Sequence, residues 1–324
     1  MQTKPFRKPL FTLLILAPLC GEMMSGSQPP LTWINPVMVL LLVMLYGSGA
    51  VLIREFVRRW GQGWPSILLL GAAYGIYEEG LVVRSFFDPT WPALDLLATH
   101  GRWLGVNWIW TFNLTAFHTV VSIAIPILLV ELIYPDVRHQ TWVTRRGLKI
   151  HGLLFGSMLI LGQGFGMVAP FLGYVGCALV IAALIWLARR WPAPDPVQVA
   201  TAQPPRLRAI WGYGLLGMWG LFMTLWLIPS WEPPALISAL AFAGLVWWAV
   251  RRARRLGAWA WGPREKWTAA ASGLTMWIAF AFLMVAGPDM PLAGLLFVWI
   301  LWRVRRRVWC VVPPPTDAQL VPIG

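Results

Sequence analysis

Two adjacent carboxylates and an imidazole stand out in a chain that is otherwise strongly apolar. Glu78 and Glu79 lie in GAAYGIYEEGLVVRSFFDP and His118 lies in WIWTFNLTAFHTVVS, each within a long apolar run. Ionisable side chains at membrane depth cost about 2.5–3.5 kcal/mol each on insertion scales, so a group of them calls for a role. Tyr74, Glu78 and Ser85 share one helical face by their spacing, and Gly75 and Glu79 lie on the neighbouring one. In the next helix Asn107, Thr111, His118 and Ser122, with Thr115 beside them, draw one polar stripe. A Glu–His contact between two consecutive antiparallel helices is the expected arrangement. Two carboxylates this close and this deep do not both stay charged unless a cation lies between them. The chemistry open to such a set is proton relay, capture of a cationic or polar solute, or hydrolysis. In hydrolysis Glu78 or Glu79 would be the general base, and His118 would position water or a metal.

Other polar groups fall at the same level. Glu22 closes the first apolar run in GEMMSGSQPP, Gln163 lies in the outer half of the fifth, and Asn113 is one face away from His118. Arg84 flanks the glutamates. The expected substrate-contacting set is therefore Glu22, Tyr74, Arg84, Asn107, Thr111, Asn113 and Gln163, around Glu78, Glu79 and His118 as the chemical centre. The residues alone specify neither a metal nor a cofactor.

The elements that must position these groups are set by composition. Of 324 residues, 58% are hydrophobic and only 12% charged, far below the quarter or so that a soluble domain carries. The apolar residues come in blocks long enough to cross a hydrocarbon core of about 30 Å as helix. Spans are expected near 9–24, 34–53, 65–87, 106–133, 148–167, 169–188, 209–229, 233–250, 267–286 and 289–303. The fold class is thus an all-α, polytopic membrane bundle of about ten helices. No segment alternates at the period a β-barrel needs. Of 26 Lys and Arg residues, all but Arg84 and Arg102 fall on the side of the N-terminus under this threading. That asymmetry sets both termini in the cytoplasm and suits the plasma (inner) membrane.

The net charge of +13 is therefore a topology signal that favours anionic lipid headgroups, and no nucleic-acid partner is expected. Many of the 23 tryptophans sit near span ends, where indole prefers the interface. Cys20, Cys177 and Cys310 are scattered without metal-ligand spacing. The basic Met1–Lys8 and apolar Phe11–Leu19 also describe a signal peptide, but no small-x-small site comes after them, so an uncleaved first helix is expected. The Pro-rich stretch 191–207 reads as a cytoplasmic linker between a six-helix region, 1–190, that carries the polar site and a four-helix region, 208–310, with a tail at 311–324. Gly71/Gly75 and Gly152/Gly156 have the spacing of close helix packing, and the glycines from Gly162 to Gly166 are expected to break the fifth helix.

From Glu78-Glu79 and Arg84 to Leu114-Thr-Ala-Phe117-His118, the chain resembles the CAAX-protease and bacteriocin-processing (CPBP) membrane family. That family pairs a Glu-Glu-x-x-x-Arg helix with a Phe-x-x-x-His helix next in the chain. The resemblance implies proteolysis within the membrane, with Glu and His activating water. Here four residues separate Glu79 from Arg84, Leu114 stands where the motif has Phe, and the family's third motif has no counterpart. Three readings are open. The first is a membrane protein whose outward-facing Glu pair and His bind or transport a small solute, a proton or a lipid. The second is a CPBP-like intramembrane hydrolase. The third is an assembly factor whose polar residues only lock helices together.

Overall fold

The computed structural model describes residues 6–92, 94–164, 169–192 and 205–310. Among these, ten helical rods succeed one another: α1 (7–23), α2 (Pro36–Arg59), α3 (64–82), α4 (Trp108–Ile133), α5 (Arg145–Leu161), α6 (Phe171–Arg190), α7 (Leu207–Trp231), α8 (Ala235–Arg255), α9 (Pro263–Phe282) and α10 (Met290–Cys310). Five of them, α2, α4, α6, α7 and α8, are long and apolar enough to cross a membrane by length and composition. Most of the expected linker and all of the 311–324 tail lie outside the described residues.

Local chemistry sets the helix ends. Asn35 caps α2, its Oδ1 accepting from Val37 N at 3.0 Å, with Pro36 supplying a first-turn residue that has no N–H to satisfy. Asn107 and Thr144 cap α4 and α5 in the same way, accepting from Trp110 N and Gly147 N. α3 stops short of the expected 87, because the chain turns through a left-handed Arg84 at φ 63°. α9 ends at Phe282 rather than 286, where Met284 takes φ 53°. α5 tightens to a 3₁₀ turn at Gly162–Gly164, and the rest of that glycine run lies outside the described residues. A two-residue hairpin, β1 (Arg102–Trp103) and β2 (Val106–Asn107), interrupts the otherwise helical chain before α4. Leu104 and Gly105 both take positive φ in its turn, the mirror-image geometry that matches strand twist.

α4 is the central rod: it packs on α1 and α3 on one side and on α7, α8, α9 and α10 on the other. Its apolar window is 72% buried, against 6% for α8 and 11% for α6, so those two lie at the periphery. Gly71 and Gly75 let α3 close on α4; a Cβ at Gly75 would lie 3.1 Å from both Thr115 Cα and His118 Cβ. Gly152 and Gly156 face open space among the described residues, so their spacing does not mark a packing seam.

At the bundle end where α2 and α4 finish, charged groups lock the helices. Glu55 is fully buried and accepts from Arg54 at 2.7 Å, from Trp142 N at 2.7 Å and from Arg59 at 3.4 Å. Glu131 accepts from Arg58 at 2.5 Å, and the Arg54 guanidinium lies 3.6 Å from the centre of the Trp142 ring. Buried charge is tolerated here because each carboxylate has cationic and N–H partners. In the sequence Arg54, Arg58 and Arg59 signal only which side of the membrane their loop faces; in the fold they clasp α2 to α4 and to the segment before α5.

Candidate functional site

Toward the opposite end, four helices each widen into a π-helical turn: Leu19–Met23 in α1, Val43–Gly47 in α2, Tyr77–Val82 in α3 and His118–Ala124 in α4. These turns carry Glu22, Tyr46, Glu78 with Glu79, and His118 with Ser122, and the side chains converge. Such turns re-aim side chains and recur at functional sites. Two prolines help to explain them. Pro18 has no N–H to give the Leu14 carbonyl, and Gly47 of α2 packs against that carbonyl, where a Cβ would sit 2.6 Å away. That contact brings the neighbouring Tyr46 onto α1. Pro126 leaves a ladder bond unmade just after the wide turn of α4.

His118 sits between the two glutamates. Its Nε2 lies 2.9 Å from Glu79 Oε1, and its Nδ1 lies 3.1 Å from Glu78 Oε2 and 3.0 Å from Ser122 Oγ. Glu78, Glu79 and His118 are 3%, 8% and 2% exposed, so water does not screen them. Tyr46 donates its hydroxyl toward both Glu22 and Glu78. A phenol has one proton, so while it donates to one carboxylate, the other must bring its own proton to the phenol oxygen. On the far side Ser85 donates to Glu79 and accepts from Trp110 Nε1 at 2.9 Å. The result is two hydrogen-bonded strings, Glu22–Tyr46–Glu78 and Ser122–His118–Glu79–Ser85–Trp110, joined by the 3.1 Å approach of His118 Nδ1 to Glu78 Oε2 and contributed by α1, α2, α3 with the turn after it, and α4.

Within this cluster three carboxylates face one imidazole. Even with His118 protonated, negative charge remains for protons or a cation to neutralise. One ligand atom from each of Glu78, Glu79 and His118 lies within 4.8 Å of the others, a spacing a single metal ion can bridge. An oxygen-rich set with one imidazole suits a divalent cation of the zinc or manganese kind.

The other expected residues divide. Glu22 joins the cluster through Tyr46. Tyr74 packs beside it, its ring 5.8 Å from Tyr46 and 6.0 Å from His118. Arg84 is buried and donates to Gly162 O at 3.0 Å, tying the turn after α3 to the end of α5. Asn107 caps α4 and donates to Leu97 O, and Thr111 donates to Asn107 O at 2.7 Å, so these two shape the loop before α4. Asn113 points to the other side of α4 and accepts from Thr224 in a fifth π-helical turn, Met223–Leu227 of α7, at 2.8 Å. Gln163 is exposed and bonds its own helix at Leu159 O. Tyr46 has no signal in the sequence: it is a lone tyrosine in VLLLVMLYGSGAVLI with no polar periodicity around it.

Comparison with known proteins places this bundle. A family model described as "Uncharacterized membrane protein family" matches residues 11–301, nearly the whole chain. The chain belongs to that family. The match takes in all four helices of the cluster and both sides of α4. An "Uncharacterized protein" of Archaeoglobus fulgidus is 27% identical over 130 residues, which is 39% of this chain and 39% of that protein. No solved structure matches.

Proposed function

We propose that the chain is a multi-pass membrane protein that holds a divalent metal ion at Glu78, Glu79 and His118 and hydrolyses a bond in a membrane-embedded substrate. The convergence of those three ligand groups, buried and within bridging distance, carries this reading. It is joined by a further carboxylate, Glu22, relayed through Tyr46. A divalent ion held there would supply Lewis acidity toward water and toward a carbonyl or phosphoryl oxygen. The chain's own groups do the proton work. Glu22 and Tyr46 take the proton that an attacking water gives up and return it to the leaving group, while Ser122 and Ser85 hold His118 and Glu79 in register. The ten rods are read as ten spans with both termini cytoplasmic, because nearly all the basic residues then face one side. The cluster then lies toward the exterior, and the Arg54–Glu55–Glu131 clasp lies at the cytoplasmic end. Such a clasp keeps water out from below and suits an enzyme that admits substrate from the bilayer.

A second reading, a proton or cation carrier, is favoured by the row of polar groups from Glu22 to Trp110, in which His118 Nδ1 lies 3.1 Å from Glu78 Oε2. Reconstitution in vesicles separates the two. Chelator-sensitive cleavage of vesicle-borne peptide or lipid esters, lost in Glu79→Gln, supports the hydrolase. Proton or cation flux that survives chelator, with no cleavage, supports the carrier and overturns the hydrolase.

A further inference from the structure

A groove opens beside the cluster, between the end of α1 and the facing ends of α7 and α9. It encloses about 340 Å³ and is lined by Met24, Phe222, Trp226, Trp277, Phe280 and Met290. Three of its walls run directly into the cluster. The Trp277 ring contacts Phe117 at 5.4 Å, and Phe117 contacts His118 edge-on at 5.2 Å. Trp226 contacts Trp110 at 6.1 Å, the tryptophan that donates to Ser85 beside Glu79. Met24 lies in the same turn as Glu22, whose carbonyl accepts from Ser25 Oγ at 3.0 Å. Ser25, Val285 and Ala286 complete the lining, and the exposed Leu283 and Met284 adjoin it in the chain, an apolar surface that suits hydrocarbon. One polar atom of its lining residues is left over: the Trp277 indole Nε1 is buried in the groove wall and has no hydrogen-bond partner among the described residues. A buried N–H without an acceptor is unfavourable, and a ligand oxygen would supply one.

We infer that this groove binds one acyl chain of a membrane lipid, with the ester carbonyl accepting from Trp277 Nε1 and the head directed toward Glu22. Apolar walls fit the chain, the indole fits the ester oxygen, and the Phe117 ring is what stands between that indole and His118. Cleavage of the bound ester rests on the proposed hydrolase, whereas binding in the groove can be tested without catalysis.

The test is photolabelling in nanodiscs with a lysophosphatidylethanolamine that carries a diazirine at the end of its acyl chain, with peptide mapping of the adducts. Saturable labelling concentrated on the peptides of Phe222–Trp226 and Trp277–Phe280 is expected, in the wild type and equally in Glu79→Gln. Trp277→Phe keeps an aromatic ring in the wall, removes the donor with the second ring, and should weaken apparent affinity by at least about threefold, the lower worth of one hydrogen bond. Ala286→Trp, which fills the mouth, should abolish groove labelling. Labelling spread evenly over the peripheral α6 and α8, or groove labelling indifferent to both variants, would overturn the lipid assignment. Groove labelling that behaves as expected, with no lipid cleavage by the wild type, would uphold the site and refute ester cleavage there.

Discussion

Tyr46→Phe is the most informative single change, because it deletes one oxygen and leaves the ring in place. That oxygen joins Glu22 to Glu78, and through Glu78 to His118. Its removal strands one carboxylate oxygen and one carboxyl O–H at a depth where little water can replace the phenol. Hydrogen bonds to charged groups are worth about 1.5–3 kcal/mol, while polar contacts between membrane helices average about 0.6 kcal/mol, so a stability loss of about 1–3 kcal/mol is expected. The larger effect should fall on the metal. Groups that orient a ligand from behind typically change metal affinity or activity by about 10- to 100-fold, and Tyr46 is such a group for Glu78. Chelator competition on purified protein reads the affinity, and thermal unfolding in detergent reads the stability. Tyr77→Phe is the matched control. Its hydroxyl donates to Phe155 O at 2.6 Å, outside the cluster, so it should lose stability but not affinity. Equal metal affinity in Tyr46→Phe and wild type would refute the reasoning, as would equal affinity losses in both tyrosine variants.

The same geometry sets other expectations. Glu55→Ala removes the nearer of the two carboxylates that face buried Arg54, leaving Glu131 at 3.5 Å, and frees two backbone N–H groups, Trp142 and Val143; breaking such a pair should cost about 3–5 kcal/mol in unfolding experiments. The same variant, assayed below its unfolding temperature, should keep its metal. Gly75→Val pushes methyl groups into Thr115 and His118, should cost about 1–3 kcal/mol and should lower metal content, whereas a Cβ at Gly156 meets no described atom within 4 Å, so Gly156→Ala should be neutral or stabilising. His139, in the loop before α5, has its imidazole held below the ordinary value of 6.5 by partial burial and by the neighbouring Arg138 and Arg58. The unfolded chain therefore takes up that proton first, so stability should fall as pH drops through 6.5, and His139→Asn should shrink the fall. A flat profile in the wild type would contradict that assignment.

Much of the site could be read from spacing. Glu78, Glu79 and His118 sit on consecutive antiparallel helices, and polar residues recurring along apolar runs leave few faces on which they can hide. The positions of the rods were legible for the same reason: blocks of apolar residues are helices wherever lipid forbids an unpaired backbone. What stayed hidden depends on departures from regular helix. A π-helical turn adds a residue and rotates everything after it, and no residue pattern announces it. Tyr46, on an almost wholly apolar helix, reaches the glutamates only because α2 widens at Val43–Gly47 and leans on α1 at Gly47. Arg84 reads as part of α3, but the helix has ended before it, and its left-handed backbone aims it at Gly162 instead of back along α3. Gln163 illustrates the converse: its depth in the chain matched the cluster, but it lies in a 3₁₀ turn that carries it to the exterior of the bundle. Thr224 and Asn113 bond across the two regions that a linker was expected to divide, a contact with no signature in either segment.

The most direct test of a metal held by Glu78, Glu79 and His118 is elemental analysis of the purified protein beside His118→Ala and Glu79→Gln. Near-stoichiometric zinc or manganese in the wild type, lost in both variants while their folded fraction is unchanged, is the predicted result. Wild-type protein without metal after growth and dialysis in zinc and in manganese, or variants that retain it in full, would contradict the account.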